Sequence, residues 1–548
     1  MHIAGTCSFR PRPYIQLESA NAAKIVEGGR NHMLSLCGEL FDHTPAQLLS
    51  KLMRDGPACL HRLNGVFALA YWDGETLLLA RDYIGAKPLF YAMQNGKLFF
   101  GSTPQHVFNQ GLAPQINLNS LRELFALGPA RTPGNGVFQG LHEILPGEYL
   151  WLNHDGLHRD FYWQLQSKPH TDSPEDTIQH VRALVCNSVE RQLAEDKCVP
   201  CAFLSGGLDS SLVTAIAAQH LKQRGQRLTT FSFDFDGNDN HYQSNAFQPE
   251  RDLNFAREMA DYLGTDHHEL RCTSDDLIGL LDHATTLRGF PGMGDIDASM
   301  LYFCNTVGQD FKSALTGECA DEIFGGYPWF TNKTAFAQHS FPWSNMAARR
   351  SFLRDDLLDE LNLDSYAQKA YEVSVAQTPR CATDSPEQAQ QREITWLNLR
   401  WFMQTLLCRM DRMSGSLRGR VPLADRRVLE YLWNVPWELK YQPGSAKHLL
   451  RQAGQGLLPD SVLWRKKSPF PKTYNPNYQQ LLAERMRDIL SSPNEPVNAL
   501  IDRKKAEDFL QAPADLGAPW YGQLMAAPQR TAYFLQVNAW MKQHGLSM

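Results

Sequence analysis

SGGLDSS, residues 205–211, stands between an apolar run at residues 199–204 and a stretch, residues 210–224, whose apolar side chains recur at helical spacing. This pattern predicts a buried strand, a tight glycine-rich turn and a helix. Such a turn points backbone N–H groups and a helix N-terminus at an anion, and its glycines let the main chain approach a phosphate closely. Asp209 would place a carboxylate beside that phosphate, which is favourable only with a divalent cation between them. The stretch therefore predicts a magnesium-dependent phosphate site.

Strand and helix patterns alternate after this turn, which predicts a parallel sheet wrapped by helices. In such folds, ligands bind at the carboxyl ends of the strands. A second acidic signal, TGECADEIFGGYPWF at residues 316–330, places Glu318, Asp321 and Glu322 at a predicted strand-to-helix junction. Acidic residues at a helix start can simply complement the helix dipole. Three carboxylates beside a phosphate loop would repel one another without a cation, so we interpret them as part of the same site.

Bulk composition limits the class of protein. The 548 residues are 43% hydrophobic, which predicts two large domains, and the net charge of −6 argues against a nucleic-acid partner. The eleven cysteines are scattered along the chain, which predicts reduced thiols without a disulfide framework or structural zinc. No signal-peptide core or bilayer-length apolar run is present. We therefore expect a soluble, cytoplasmic protein with no membrane association.

The first third of the chain has a different pattern. Short β-like runs, among them residues 33–37, 66–72 and 97–101, surround helical patterns at residues 45–54 and 119–126. This arrangement predicts antiparallel sheets with helices packed outside them, an α+β domain.

Two segments of this first third carry a family resemblance. LNGVFALAYWDGETLLLARDYIGAKPLFY at residues 63–91 and CGELF at residues 37–41 resemble the glutaminase domain of asparagine synthetases. The resemblance implies a class II amidotransferase domain, an Ntn-hydrolase-like αββα sandwich, over residues 1–165, with a polar linker at residues 166–175. That domain hydrolyses glutamine with an N-terminal cysteine whose α-amine serves as the base.

The residues that this chemistry requires are replaced here. Position 2 is His2, and Cys37 stands where the family has the asparagine that stabilises the oxyanion. Cys7 could act only after processing that removes the first strand, so we interpret Cys7 and Cys37 as small core residues. We expect this domain to have lost glutamine hydrolysis.

The rest of the chain resembles the synthetase domain of asparagine synthetases. The glycine-rich stretch at residues 205–211 and the acidic stretch at residues 316–330 match this domain. Three further stretches also match it: MDRMSGSLRGRVPLAD at residues 410–425, VPWELK at 435–440 and WRKKSPFPKT at 464–473. The resemblance implies an α/β PP-loop ATP pyrophosphatase domain with a parallel sheet and a helical C-terminal part, residues 176–548. It also implies a carbon–nitrogen ligase. A carboxylate attacks the α-phosphorus of ATP and releases pyrophosphate, and an amine then attacks the acyl-adenylate and releases AMP.

The same resemblance assigns roles to individual residues. Glu318 matches the base that takes the proton of the amine, Lys447 neutralises charge on the phosphates, and Asp209 and Asp321 hold Mg²⁺. Separately, GDIDAS at residues 294–299 suggests that Asp295 and Asp297 bind a substrate ammonium, although two aspartates before a helix are often only caps. The residues implied to contact ATP are Leu204, Ser205, Gly206, Gly207, Asp209, Ser210, Ser211, Ser232, Phe233, Gly317 and Glu322.

Several functions are compatible with the sequence. The substrate is expected to be a small amino-acid-like molecule, and homodimerisation is left open. The lost glutaminase favours a ring-closing enzyme similar to the β-lactam synthetases of antibiotic biosynthesis, but those enzymes have tyrosine at the position of Glu318. The main alternative is asparagine synthesis from aspartate and ammonia, although Arg418, which replaces the family's glutamate, questions aspartate as substrate. A non-catalytic nucleotide-binding subunit is also compatible with the sequence, whereas the acidic net charge opposes a tRNA-modifying pyrophosphatase.

Overall fold

The computed structural model describes residues 2–9, 13–19, 22–27, 30–194, 199–244, 250–513 and 519–546. The chain divides into two compact units. Unit 1 comprises residues 1–124 and 130–165, and unit 2 comprises residues 125–129 and 166–548. None of the helices in the described ranges combines the length and the apolar character needed to cross a membrane.

Unit 1 is built from two antiparallel sheets with helices outside them. The strands are β1 Ile3–Ser8, β2 Tyr14–Ser19, β3 Ala22–Glu27, β4 Arg30–Leu40, β5 Gly65–Trp72, β6 Leu77–Arg81, β7 Phe90–Gln94, β8 Lys97–Gly101, β9 Leu141–Glu143, β10 Glu148–Asn153 and β11 Gly156–Phe161. In the described residues, one sheet has the strand order β2-β1-β8-β7-β9 and the other β11-β10-β6-β5-β4-β3. The helices are α1 Pro45–Asp55, α2 Pro104–Phe108 and α3 Leu118–Arg122.

The core of unit 1 explains this layering. Inward side chains of both sheets, such as Ile3, Trp72 and Phe100, form one apolar cluster between the sheets. A second cluster joins Leu48 and Leu52 of α1 to the outer face of the second sheet. The predicted α+β organisation of antiparallel sheets and outer helices is therefore present.

Unit 2 contains a parallel sheet whose strands are β12 Cys201–Phe203, β13 Thr229–Phe235, β14 Asp266–Cys272, β15 Ser313–Leu315 and β16 Arg418–Arg420. In the described residues their order is β14-β13-β12-β15-β16. Its helices are α4 Pro174–Ala194, α5 Leu208–Lys222, α6 Asn238–His241, α7 Asp252–Leu263, α8 Ser274–Arg288, α9 Asp295–Val307, α10 Ala320–Phe324, α11 Lys333–Ala337, α12 Met346–Arg350, α13 Asp355–Leu361, α14 Leu363–Ala376, α15 Pro386–Leu397, α16 Met403–Met413, α17 Arg426–Asn434, α18 Trp437–Lys440, α19 His448–Ala453, α20 Asp460–Leu463, α21 Pro476–Ser491, α22 Arg503–Gln511 and α23 Ala527–Gln543.

The strand order of this sheet determines where a ligand can bind. The central strand β12 is hydrogen-bonded to β13 on one side and to β15 on the other. All three strands run in the same direction, so their carboxyl ends meet at one edge of the sheet. The glycine-rich turn follows β12 and the acidic segment follows β15, which brings both predicted signals to that edge.

Candidate functional site

The glycine-rich turn between β12 and α5 is held in shape by its own hydrogen bonds. The Ser205 N–H donates to Ser210 Oγ at 3.1 Å, and the two serine Oγ atoms lie 2.8 Å apart. Gly206 has a φ of +72°, and a Cβ there would lie 2.5 Å from the backbone nitrogen of Ala256 in α7. Only glycine combines this conformation with so close an approach. The turn is therefore formed before any ligand arrives.

The chain leaving β15 passes directly against this turn. A Cβ on Gly317 would lie 2.5 Å from the backbone nitrogen of Ser210 and 2.8 Å from the carbonyl carbon of Asp209. No side chain fits between the two segments, which is why the acidic residues after Gly317 reach the start of α5.

Gly317→Ala should therefore disturb the site without introducing any new chemistry. The methyl group would push the acidic segment away from the turn, and overpacking of this kind costs about 1–3 kcal/mol of stability. We expect a lower melting temperature and a rise of at least about tenfold in the KM for ATP, because displacements of this order at a reacting centre reduce activity strongly. Gly279→Ala on α8, where a Cβ meets nothing within 4 Å, is the matched control, and equal behaviour of the two variants would contradict this role for Gly317.

A cluster of charges occupies the junction of the two segments. Lys447 Nζ lies 2.6 Å from a carboxylate oxygen of Asp209 and 2.6 Å from one of Asp321, and Lys467 Nζ lies 2.9 Å from the other Asp321 oxygen. Lys447 is only 2% exposed. Burial alone would lower the pKa of Lys447, but the attraction of the two carboxylates outweighs burial and raises it. Lys447 is thus a permanently charged ammonium between two aspartates.

The two aspartates also fit a magnesium site shared with a nucleotide. Their oxygens converge on one point, as the short distances to Lys447 show. Mg²⁺ is usually held by one or two carboxylates together with substrate phosphates and waters, so a pair of carboxylates is sufficient. No group of three or more His, Cys, Asp or Glu side chains suited to a metal occurs in the part of the chain that is described.

A cavity of about 210 Å³ opens at this edge of the sheet. Most of the residues that were predicted to bind ATP, Mg²⁺ or the amine line it: Leu204, Ser205, Gly207, Asp209, Ser210, Ser232, Phe233, Gly317, Glu318, Asp321 and Glu322. Lys447 is not part of the wall itself but contacts Asp209 and Asp321 within it. The structure thus brings the glycine-rich turn, the end of β13 and the acidic segment around a single cavity.

Two residues of the turn that were predicted to contact the nucleotide, Gly206 and Ser211, are not in the cavity wall. Gly206 shapes the turn, and its carbonyl oxygen accepts a hydrogen bond from Arg465 Nη1 at 3.1 Å. Ser211 is completely buried in α5, so its hydroxyl does not face the cavity. The nucleotide contacts predicted for Gly206 and Ser211 therefore stay predictions without support from the cavity lining.

Two glutamates of the acidic segment have different environments. Glu322 is buried and accepts a hydrogen bond of 2.5 Å from the Tyr327 hydroxyl, and burial together with the charge of Asp321 raises the pKa of Glu322 to about 8. Glu318 instead forms an ion pair of 2.7 Å with Arg409 of α16. Glu322 is therefore largely protonated at neutral pH, whereas Glu318 lies in the cavity wall beside the Arg409 guanidinium.

Asp295 and Asp297 do not form the predicted ammonium site. Both are buried in the first turn of α9 and neither lines the cavity. Asp297 forms an ion pair of 3.1 Å with Arg288, whose side chain is also completely buried. Asp295 accepts a hydrogen bond from Gln529 Nε2 at 3.1 Å. These carboxylates stabilise the packing of α9 against α8 and α23, which corrects the expectation from the sequence.

Arg418 does not line the cavity either. It lies on β16, the edge strand of the parallel sheet. Its replacement of a family glutamate therefore gives no direct information about the substrate.

Sequence reasoning missed or left undecided three basic residues at the site. Arg409 was not identified, because an arginine within an apolar helical pattern gives no local signal of its ionic partner. Arg465 and Lys467 lie in a basic stretch that could equally be a solvated turn, but Arg465 pairs with Asp252 at 2.5 Å and lies 3.9 Å from the ring centre of Phe255. Lys467 pairs with Asp321.

Part of the cavity wall is apolar. Its apolar residues include Met293, Met300, Phe402, Leu406, Met410, Phe470 and Leu524. The two cationic side chains in the wall, Arg409 and Lys467, each already pair with a carboxylate. The cavity therefore suits a substrate with an apolar portion.

The thiols of unit 1 are not placed for nucleophilic chemistry. Cys7 and Cys37 belong to the core between the two sheets, as predicted. Burial raises the pKa of Cys7 to about 12 and that of Cys59 to about 11, whereas a nucleophilic cysteine needs a lowered pKa and exposure. None of the described cysteines forms a disulfide.

Sequence comparisons assign the two parts of the chain. A family model described as asparagine synthase matches residues 180–542, which is more than half of the chain. The chain belongs to the asparagine synthase family. A second model, described as a glutamine amidotransferase domain, matches residues 45–163, so the amidotransferase-like nature of unit 1 is also confirmed.

Individual members of the family agree with this assignment. A Bacillus subtilis (strain 168) protein named asparagine synthetase [glutamine-hydrolyzing] 3 is 42% identical over 89% of this chain and 81% of its own length. Asparagine synthetase [glutamine-hydrolyzing] 1 of the same organism is 26% identical over 78% of this chain and 71% of its own length. Asparagine synthetase B [glutamine-hydrolyzing] of Escherichia coli (strain K12) is 25% identical over 82% of this chain and 72% of its own length. The chain is thus related to carbon–nitrogen ligases along most of its length.

Proposed function

We propose that this protein is an ATP-dependent amide synthetase that activates a small carboxylate as an acyl-adenylate and then couples it to an amine. The observation that carries the proposal is the convergence of the Ser205–Ser210 turn, Asp209, Asp321 and Glu318 on one cavity. A phosphate cradle, a cation pair and a general base are the three components that this reaction needs.

Each component has a defined part in the proposed reaction. A substrate carboxylate oxygen attacks the α-phosphorus of ATP, and the bond to the β-phosphate oxygen breaks to release pyrophosphate. The N–H groups of the turn and the Lys447 ammonium stabilise the charge on the departing pyrophosphate. Bound Mg²⁺, held by Asp209 and Asp321, would supply further neutralisation of the phosphate charge.

Glu318 acts in the second half-reaction. The amine attacks the activated carbonyl carbon, AMP leaves, and Glu318 accepts the proton that the nitrogen loses. The 2.7 Å ion pair with Arg409 holds this carboxylate in place. The products are an amide, AMP and a proton.

The source of the amine and the class of acid are part of the proposal. The buried, high-pKa thiols of unit 1 favour an amine that does not come from glutamine hydrolysis in this chain. The apolar part of the cavity wall favours an amino-acid-like acid with an apolar portion. A ring-closing reaction on a substrate that carries its own amine is the second candidate, supported by the same two observations.

The experiment supplies the purified protein with ATP, Mg²⁺ and a panel of acids, with ammonium, glutamine or no added nitrogen donor. Aspartate is included because the relatives from Bacillus subtilis are named asparagine synthetases. Product masses and AMP are followed together. We expect amide and AMP with ammonium and none with glutamine alone; product without any added donor would select ring closure. Glutamine-dependent product that Cys7→Ser abolishes would overturn the proposed amine source, and failure of every acid to release AMP would overturn the synthetase assignment.

A further inference from the structure

A second cavity of about 200 Å³ lies in unit 2. Its walls come from residues 168–170, from the segment between Thr383 and Thr395 that includes the start of α15, and from residues 433–440 at the end of α17 and in α18. In the described residues it shares no wall residue with the ATP-binding cavity proposed above. It is a separate space in the same unit.

Lys440, the last residue of α18, lines this cavity and is only 5% exposed. No described carboxylate forms an ion pair with its ammonium, and no described acceptor receives a hydrogen bond from it. A buried, unpaired cation is costly because it loses hydration without gaining a partner. Such a group is tolerated when an anion from solution can pair with it.

The carboxylate of Asp384 in the cavity wall already forms an ion pair with Arg392. Asp384 receives two hydrogen bonds from Arg392, at 2.7 and 2.9 Å, and both side chains are 9% exposed. Arg392 Nη1 donates instead to the Trp433 carbonyl oxygen at 2.9 Å. Arg392 and Asp384 therefore neutralise each other, and Asp384 does not neutralise the charge of Lys440.

We propose that this cavity is a binding site for a small oxyanion, a phosphate or carboxylate group that pairs with the Lys440 ammonium. Lys168 lies at the exposed rim and adds positive charge at the entrance. The side-chain amide of Gln388 in the wall adds polar surface around the anion. An ammonium with three unused donors recognises an oxyanion through charge-assisted hydrogen bonds.

The pKa shifts of Lys440 and His170 agree with their burial in this cavity. Burial, assisted by the nearby charge of Arg392, lowers the pKa of Lys440 to about 7. Burial also lowers the pKa of His170, which lines the same cavity and hydrogen-bonds to Thr177, so His170 adds little charge at neutral pH. An oxyanion would favour the ammonium form of Lys440.

The test compares the wild-type chain with Lys440→Met, using inorganic phosphate and acetate as probes in separate titrations at constant ionic strength and pH 6.5. Calorimetry should detect binding of at least one probe to the wild type, weakened at least about tenfold in the variant because a charge-assisted contact is lost. A crystal grown with the binding probe should show it beside Lys440. Which probe binds decides between a phosphate and a carboxylate ligand.

Folding of the variant is measured in parallel. Methionine matches the aliphatic part of the lysine side chain in length and removes a buried charge, so without either probe Lys440→Met should melt no lower than the wild type. Lys369→Met, at an exposed position on α14, is the control and should bind the probes as the wild type does. Equal probe binding by wild type and Lys440→Met, no binding of either probe at millimolar concentration, or a lower melting temperature of Lys440→Met in chloride would overturn the proposal.

Discussion

Replacing Asp209 or Asp321 by asparagine should abolish ATP-dependent AMP formation, with a fall in kcat/KM of at least about 10²–10³ from each substitution. Both carboxylates lie within 2.6 Å of Lys447 Nζ, and they line the cavity beside the glycine-rich turn. An amide keeps the size of the side chain but removes the negative charge and half of the strong acceptor capacity. The cation that neutralises the phosphates would then be bound far more weakly.

The control for these substitutions is Asp275→Asn, an exposed aspartate in the first turn of α8. Its rate of AMP formation should equal that of the wild type. Rates within threefold of the wild type for both Asp209→Asn and Asp321→Asn, with the proteins folded, would contradict the assignment of these aspartates. Isothermal titration of Mg²⁺ and a nucleotide locates the defect in binding or in turnover.

Lys447→Met should have the second largest effect, because it affects both folding and activity. Removing one partner of a buried ion pair costs about 3–5 kcal/mol, since the remaining charges are left uncompensated. Lys467 still contacts Asp321, which places the expected loss of unfolding free energy at the lower end of this range. AMP formation should fall at least about a hundredfold, because the ammonium no longer stabilises the departing phosphate charge.

The pH dependence of Lys447→Met follows from the sign of the aspartate pKa shifts. In the intact protein burial raises the pKa of Asp209, whereas the Lys447 and Lys467 ammonium groups hold the pKa of Asp321 below its usual range. Without Lys447, burial and the mutual repulsion of the two carboxylates raise both pKa values relative to the intact protein. A carboxylate whose folded-state pKa is raised stabilises the folded state at low pH, and this stabilisation is lost as pH rises through the raised pKa. The deficit in unfolding free energy should therefore be larger at pH 8 than at pH 5.

Urea denaturation at several pH values measures this deficit. Lys542→Met, which removes an exposed ion pair with Glu495, is the matched control and should change stability by less than about 1 kcal/mol at either pH. A Lys447→Met protein as stable and as active as the wild type would show that the ammonium is not the link between the two aspartates.

The parts of the fold that sequence predicted well are those with strong local patterns. The strands at residues 66–72 and 97–101, the helix at residues 45–54 and the β12–turn–α5 unit all combine apolar periodicity with clear turn residues, and all are present within one or two residues of the predicted ends. The strands that were not predicted include β2, β3, β9 and β11, which are the four edge strands of the two sheets of unit 1 in the described residues. Edge strands bury less apolar surface, so their sequences carry a weaker pattern.

The candidate site was predictable to the extent that its chemistry is local in sequence. Asp209 and Asp321 could be proposed because each belongs to a short motif after a strand. Their partnership with Lys447 and Lys467, and that of Glu318 with Arg409, joins segments far apart in the chain, which only tertiary structure reveals. Asp297 shows the opposite error, a residue that was predicted to bind substrate and does not line the cavity. Its ion pair with the buried Arg288 is not visible in the local sequence, which looks the same for a carboxylate that faces a cavity.

Phosphorus NMR of ATP during turnover tests the central claim most directly, which is that the cavity at the end of β12 and β15 splits ATP between its α- and β-phosphates. With Mg²⁺, an accepted acid and an amine, AMP and pyrophosphate should accumulate in equal amounts, and Asp321→Asn should suppress both. Accumulation of ADP and inorganic phosphate instead, at a rate that Asp321→Asn leaves unchanged, would contradict the account.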